Sequence, residues 1–269
     1  MRPLTKTASR QPARILLWVA VIAIVVFILA PLAVVFAASL TSSDYLQFPP
    51  KGLSLQWYAA IPRNSKFVNS FVTSLQLAIA CVALSLLAGV PAAYAITHYP
   101  SRLTRYLEQV FLSPLMLPAV VFGLGFLFVL SAAGWRGTFT GALLAHVIIA
   151  SPFVIRSTLP GLREMDPWLE DASRSLGAGP LRTFLQIVLP AISGSIIAGG
   201  IFAFIISFDE AVVTLFLVSP NFQTLPVTIF TYVQYSDDPT VAAVSSVLVA
   251  IGIVMVATVM RLTGGRDGR

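Results

Sequence analysis

Charge is what this 269-residue chain has least of: only 10% of its residues are Asp, Glu, Lys or Arg. A soluble domain of this length carries roughly a quarter. So little charge cannot coat a globular surface, and most of the surface must face something other than water. The single cysteine, Cys81, excludes an internal disulfide and lies in an apolar run, where it reads as a small packing residue. Histidine is scarce too, and His98 and His146 are too isolated for metal-ligand spacing. No Gly-x4-Gly-Lys-Ser/Thr phosphate loop, Gly-x-Ser-x-Gly elbow or His/Asp/Glu cluster occurs. These absences argue against nucleotide hydrolysis on this chain and against a membrane-embedded enzyme. Internal repeat symmetry with paired broken helices, expected of many stand-alone secondary transporters, is also missing.

Hydrophobic residues make up 57% of the chain, and the mean hydropathy is +0.87. They come in runs long enough to cross a bilayer, about 20 residues each. The first run, 15–40, follows Arg2, Lys6, Arg10 and Arg14 with no acid among them. A signal peptide has an apolar region of only about 7–15 residues. The longer run therefore reads as an uncleaved first span entering from the cytoplasm, although Ala37-Ala38-Ser39 loosely resembles a cleavage site. Further spans are expected at 67–96, interrupted by Gly89 and Pro91, and at 107–133, with Pro114 and Pro118 inside. Three more are expected at 138–158, 191–218 and 241–262. Proline inside a span is tolerated where neighbouring helices satisfy the freed backbone group. Between the first two spans, residues 53–61 read as a short interfacial helix with Trp57 and Tyr58 at headgroup level.

The net charge of +6 and pI of 9.8 do not indicate a nucleic-acid partner, because no aromatics interleave with Arg. Six spans put both termini on one side, and 13 of the 17 Lys and Arg residues fall there. Only Lys51, Arg63, Lys66 and Arg136 fall on the other. Positive-inside sorting then makes the termini cytoplasmic. The expected organisation is a cytoplasmic tail at 1–14, one transmembrane domain at 15–262 and a second tail at 263–269.

One long polar stretch separates the fourth and fifth spans. Within it, Asp166 is a good N-cap, Pro167 suits a first helical position, and Gly177 and Gly179-Pro180 supply a stop. About ten residues at ~1.5 Å each give a rod on the order of 15 Å. Trp168, Leu169, Ala172 and Leu176 fall on one apolar face. That face either packs under the protein's own helix ends or docks into a partner.

From Asp171 the pattern runs Asp171-Ala172-Ser173, three residues, Gly177, nine residues, then Ile187-Val188-Leu189-Pro190. This closely resembles the EAA signature of ABC importer permeases, with matching spacing and in the position where that family carries it. The resemblance implies the all-α type I importer permease (MetI-like) fold in a bacterial inner membrane, with 161–190 as a coupling segment that seats on a cytoplasmic ATPase dimer. It also implies ATP and Mg on that partner with no cofactor on this chain, an outside solute-binding protein, and a second homologous permease, expected to be a different chain. Asp171 replaces the usual Glu and Ser173 the second Ala, and Glu170 beside them could supply a longer acidic arm. Gly177 is the firmest carry-over, since a turn with positive φ wants glycine.

The fifth span carries Ser207-Phe208-Asp209-Glu210, two adjacent acids in an apolar helix. An intramembrane carboxylate is a functional-site hypothesis. Adjacent helical residues point about 100° apart, so one acid is expected to line a pathway and the other to bond a neighbouring helix. The alternative is that both reach water near the outer boundary. This stretch, with Leu215-Phe216-Leu217 and 224–230, looks like the spermidine/putrescine permease group. That likeness suggests an amine-bearing substrate, with opines, aminoalkylphosphonates and other small solutes as alternatives.

Overall fold

The computed structural model describes residues 11–264, so Arg2, Lys6, Arg10, Arg266 and Arg269 lie outside the described residues. Among the described residues all regular elements are helical, apart from one isolated bridge between Ser219 and Phe222. They form two units, one of residues up to Arg63 with Tyr235–Ile253, the other chiefly Asn64–Gln234.

In the first unit, α1 (Gln11–Ser39) is one continuous helix with exposed side chains from residue 14 to residue 34. A helix apolar all round, with no other described residue covering residues 14–34, is suited to lipid as its solvent. Past its end, Trp57 Nε1 on α2 (Gln56–Ala60) donates to Thr41 O at 2.9 Å. Tyr58 OH and Ser39 Oγ share a hydrogen bond at 2.7 Å. The expected interfacial helix is therefore shorter than 53–61, and its aromatics reach inward to the end of α1. The last helix, α13 (Thr240–Gly264), begins where Asp238 Oδ1 accepts from Thr240 N at 2.8 Å.

In the second unit, α3 (Ser65–His98) and α6 (Phe139–Glu164) are long and apolar enough to cross a membrane alone. They pack with α10 (Ser193–Asp209) around Val90, Val154, Ile155, Leu159 and Ala203. Small residues set how closely they approach, as in other membrane bundles. A Cβ on Gly199 would stand 3.2 Å from Val154 Cα, and one on Gly89 would stand 2.8 Å from Val154 Cγ1. The expected interruption at Gly89 and Pro91 is absent: α3 runs through both. Gly89 serves contact with α6 and does not break the helix.

Two expected spans are not single helices. Over 107–133 the chain forms α4 (Arg102–Leu112), a 3-10 turn at Ser113–Met116, and α5 (Ala119–Ala132), bent by 107°. Leu117, preceding Pro118, is extended at φ −94, ψ 137, the conformation forced on a residue before proline. On α4, Leu103, Tyr106, Leu107 and Val110 form an exposed apolar stripe at helical spacing, while Arg102 and Arg105 are carried on the same helix and not in a loop.

Over 180–217 the chain forms α8 (Pro180–Thr183), a π-helical turn at Phe184–Val188, α9 (Leu189–Ala191), then α10 at 77°. Pro190 has no N–H to continue the ladder, and Leu189 N instead reaches back to Phe184 O. Beyond α10 the helix breaks at Glu210 and resumes as α11 (Val212–Leu217), which packs with α5 and α6 around Leu130, Ala145 and Val213. Outside it, α12 (Leu225–Tyr235) begins with Leu225 N donating to Ser74 Oγ of α3 at 2.8 Å. Counting each bent pair as one crossing, the described residues hold up to five spans, and α13 is apolar over the shorter stretch Thr240–Val254.

Candidate functional site

The stretch after α6 builds a short, capped rod. Asp166 Oδ1 accepts from Trp168 N at 3.0 Å and opens α7 (Trp168–Ser175). At its end Gly177 has φ +84, Gly177 N donates to Arg174 O, and Ala178 N donates to Ser173 O at 3.1 Å. This is the paired-bond helix stop that needs a left-handed residue after the last turn.

The faces of α7 divide sharply. Trp168, Leu169 and Leu176 are 74%, 46% and 89% exposed, with Asp171 and Ala172 exposed beside them. Among the described residues none covers that apolar face. Glu170 points the other way and is 4% exposed. Tyr94 OH donates to its Oε2 at 2.8 Å, His98 Nε2 stands 2.6 Å from Oε1, and Arg174 Nη2 lies 3.3 Å from Oε2. The Tyr94 ring stacks on His98 with centroids 4.0 Å apart and meets Phe184 edge-on at 4.9 Å. A buried carboxylate is tolerable only with such partners. Ser173 also turns inward, bonding Thr183 at 3.0 Å. Ile187 and Leu189 are half-buried in the bend, with Leu189 packed on the core, and Pro190 is exposed at the turn. The structure thus separates the two acids left open by the sequence: Asp171 lies on the presented surface and Glu170 on the anchoring one.

The second candidate site lies at the far end of α10, about 25 Å along the axis from the bend at ~1.5 Å per residue. Phe204 and Phe208 stack at 5.5 Å, and Phe71 of α3 meets Phe208 edge-on at 6.1 Å. Asp209, which follows Phe208 in the chain, is exposed as the last residue of α10. Glu210 is not helical: at φ −69, ψ 103 its Oε1 accepts from Val213 N at 2.9 Å, capping α11. The two acids therefore differ through a chain break and not through a 100° helical step.

His146 on α6 spans that break. Its Nδ1 lies 2.9 Å from Ser207 Oγ and its Nε2 2.9 Å from Thr214 Oγ1. Thr214 Oγ1 donates to Glu210 O at 2.9 Å, which leaves its oxygen to accept from Nε2–H and Nδ1 to accept from Ser207. The sequence marks His98 and His146 only as too isolated for metal ligation and does not single out Tyr94. The spacing of four between Tyr94 and His98 on one helix is the signal that both share a face. Among the described residues no group of three His, Cys, Asp or Glu side chains could hold a metal.

The sequence matches a family profile described as binding-protein-dependent transport system inner membrane component, over residues 85–264. The chain belongs to this family of ABC importer permeases. The match contains both the spaced motif and the broken helix after Asp209. This permease is 31% identical over 237 residues to the putrescine transport system permease protein PotI of Escherichia coli (strain K12), covering 85% of this chain and 84% of that one. It is 25% identical over 234 residues to the spermidine/putrescine transport system permease protein PotC of the same strain, covering 87% and 88%. It is 28% identical over 246 residues to PhnV of Salmonella typhimurium, named for 2-aminoethylphosphonate transport, covering 91% and 92%. A crystal structure of a bacterial ABC transporter for alginate import has the same fold, with a TM-score of 0.77 at 17% identity over 97% of this chain and 99% of that one. The protein is thus a multi-pass inner-membrane permease of an ABC importer, in the polyamine group by resemblance, and a transporter subunit by class.

Proposed function

We propose that this permease carries a small organic cation, a polyamine such as putrescine or spermidine, into the cytoplasm, driven by ATP hydrolysed on a partner chain. The observation that carries the substrate class is an exposed carboxylate, Asp209, at the end of α10, the helix end that also carries the ring cluster of Phe208 and Phe204 with Phe71. A carboxylate next to aromatic faces suits an ammonium group, through charge pairing and cation–π attraction of about 0.5–2 kcal/mol per ring. The names of the PotI and PotC relatives support the same class. The PhnV relative favours a second reading, an aminoalkylphosphonate, which also bears an ammonium group.

On the cytoplasmic side, α7 is rigid, capped at both ends and apolar on its exposed face, which suits it to seat in a groove on an ATPase dimer that binds ATP and Mg. Trp168, Leu169 and Leu176 provide the apolar contact, and Asp171 the outward charge. A loaded solute-binding protein docks outside, the ATPase pair closes on ATP, and α7 is carried along. α6 enters the coupling segment and α10 leaves it, so their reorientation moves the site at Asp209 from outside to inside access. A second, related permease chain completes the pore, which the exposed face of Met116, Val121 and Phe128 leaves unclosed.

The test is ATP hydrolysis by the co-purified complex in nanodiscs, with its binding protein alone or loaded with putrescine, spermidine or 2-aminoethylphosphonate. Stimulation is expected only with a polyamine. Stimulation by the phosphonate alone selects the second reading, and failure of any ATPase to co-purify would remove the coupling role. In the same complex Asp209→Asn should lower uptake about tenfold or more while leaving ATPase assembly intact. Unchanged uptake would take Asp209 out of the path.

A further inference from the structure

We infer that Glu170 is a positioning residue that binds α7 to α3, so that displacement of α7 reaches the membrane bundle through this side chain as well as through the peptide chain. The inference rests on the reading that α7 docks on the ATPase. The covalent connections of α7 are turns: Asp166-Pro167 before it, and Gly177 with positive φ after it. A rod held only by such turns would swing when pushed. The side-chain bonds that leave α7 go to two places. Ser173 reaches Thr183 just downstream, and Glu170 reaches Tyr94 and His98 on α3.

This anchor is built as a strut. Oε2 accepts from Tyr94 and faces Arg174, while His98 Nε2 stands 2.6 Å from Oε1 as a close contact without hydrogen-bond geometry. Arg174, one turn on, ties the acid to its own helix. The Tyr94–His98 stack and the edge contact with Phe184 fix the receiving end. α3 then runs as one continuous helix from this node to Phe71, on the order of 35 Å away at ~1.5 Å per residue. Phe71 touches Phe208, so the helix that receives the push also lines the candidate substrate path.

The experiment uses the whole complex with paired spin labels at Tyr99 and Ser175, both exposed, with ATPase retention by the labelled complex checked first because Ser175 borders the apolar face of α7. Distances are measured without nucleotide and after trapping with ATP and vanadate. In the otherwise unaltered complex the separation should stay constant, because α7 and the end of α3 move together. In Glu170→Ala and Tyr94→Phe it should lengthen by a few ångströms, the scale of helix shifts, with stimulation of hydrolysis by the loaded binding protein lost. Glu170→Gln, which still accepts from Tyr94, should fall between. Tyr94→Phe keeps the stacked ring and removes one oxygen, so it decides the matter if Glu170→Ala does not assemble. A separation unchanged in an assembled Tyr94→Phe complex overturns the strut. Failure of the unaltered complex to retain an ATPase instead overturns the docking reading, and the strut with it.

Discussion

Gly177 offers the sharpest quantitative test, because the structure separates two reasons for a glycine. Its φ of +84 is a conformation L side chains rarely adopt, yet a Cβ built there meets nothing within 4 Å. A substitution is therefore penalised by the backbone and not by collision. For an ordinary residue the left-handed conformation costs roughly 1–2 kcal/mol, which multiplies the population of an opened helix end by about 5–30. Gly177→Ala should thus lower hydrogen-exchange protection at Ala178 N, which bonds Ser173 O, by about that factor. Gly177→Val should cost more, since branching at Cβ stiffens the side chain and crowds the backbone further. Gly177→Asn should cost least, because Asn tolerates this region. Uptake and stimulated ATP hydrolysis should follow the order Gly, Asn, Ala, Val, with membrane insertion unchanged throughout. If Asn proves as damaging as Val, side-chain bulk at the docked surface governs the site and the backbone argument is wrong.

Trp168→Ala should weaken ATPase retention about 30-fold, the effect of removing a ~2 kcal/mol aromatic anchor; unaltered retention in a pull-down would place the contact elsewhere. Glu210→Ala should destabilise the permease by about 1 kcal/mol through loss of the α11 cap, whereas Glu210→Gln keeps an acceptor and should melt close to the parent in nanodiscs. Comparable uptake losses in both variants would show that the Glu210 charge acts on substrate. His146→Ala strips Ser207 and Thr214 of a partner and should cost about 1–3 kcal/mol, seen as a lower melting temperature; an unchanged one would show that the break at Glu210 does not depend on this pin.

The hydrophobic runs made the order of the long apolar helices legible, with up to five of the six expected spans found among the described residues, because a bilayer imposes length and polarity on each one independently of its neighbours. The stop signals around Asp166, Gly177 and Pro180 were legible for the same reason: capping is decided within a few residues. What proline does inside a run was not. Pro91 leaves α3 unbroken while the chain turns at Pro118 and Pro190. Orientation at α7 was hidden too. Glu170 and Asp171 are neighbours of the same chemistry, and only the position of Tyr94 and His98, more than 70 residues upstream, makes one an anchor and the other a surface. The break after Asp209 is likewise spanned by His146 from another helix, which no local pattern announces.

The close approach at Gly199 limits how this permease can move. Helices that touch backbone to backbone have no cushion of side chains to rearrange, so α6 and α10 are poorly suited to slide past one another. The coupling segment leaves from one and returns to the other. Its two ends are therefore stitched to a single stiff pair, and a force applied to α7 has no leverage to pry that pair apart. If α7 docks as proposed, that force tips the pair as a unit, so the motion it produces is one of α6 and α10 together and not of one past the other.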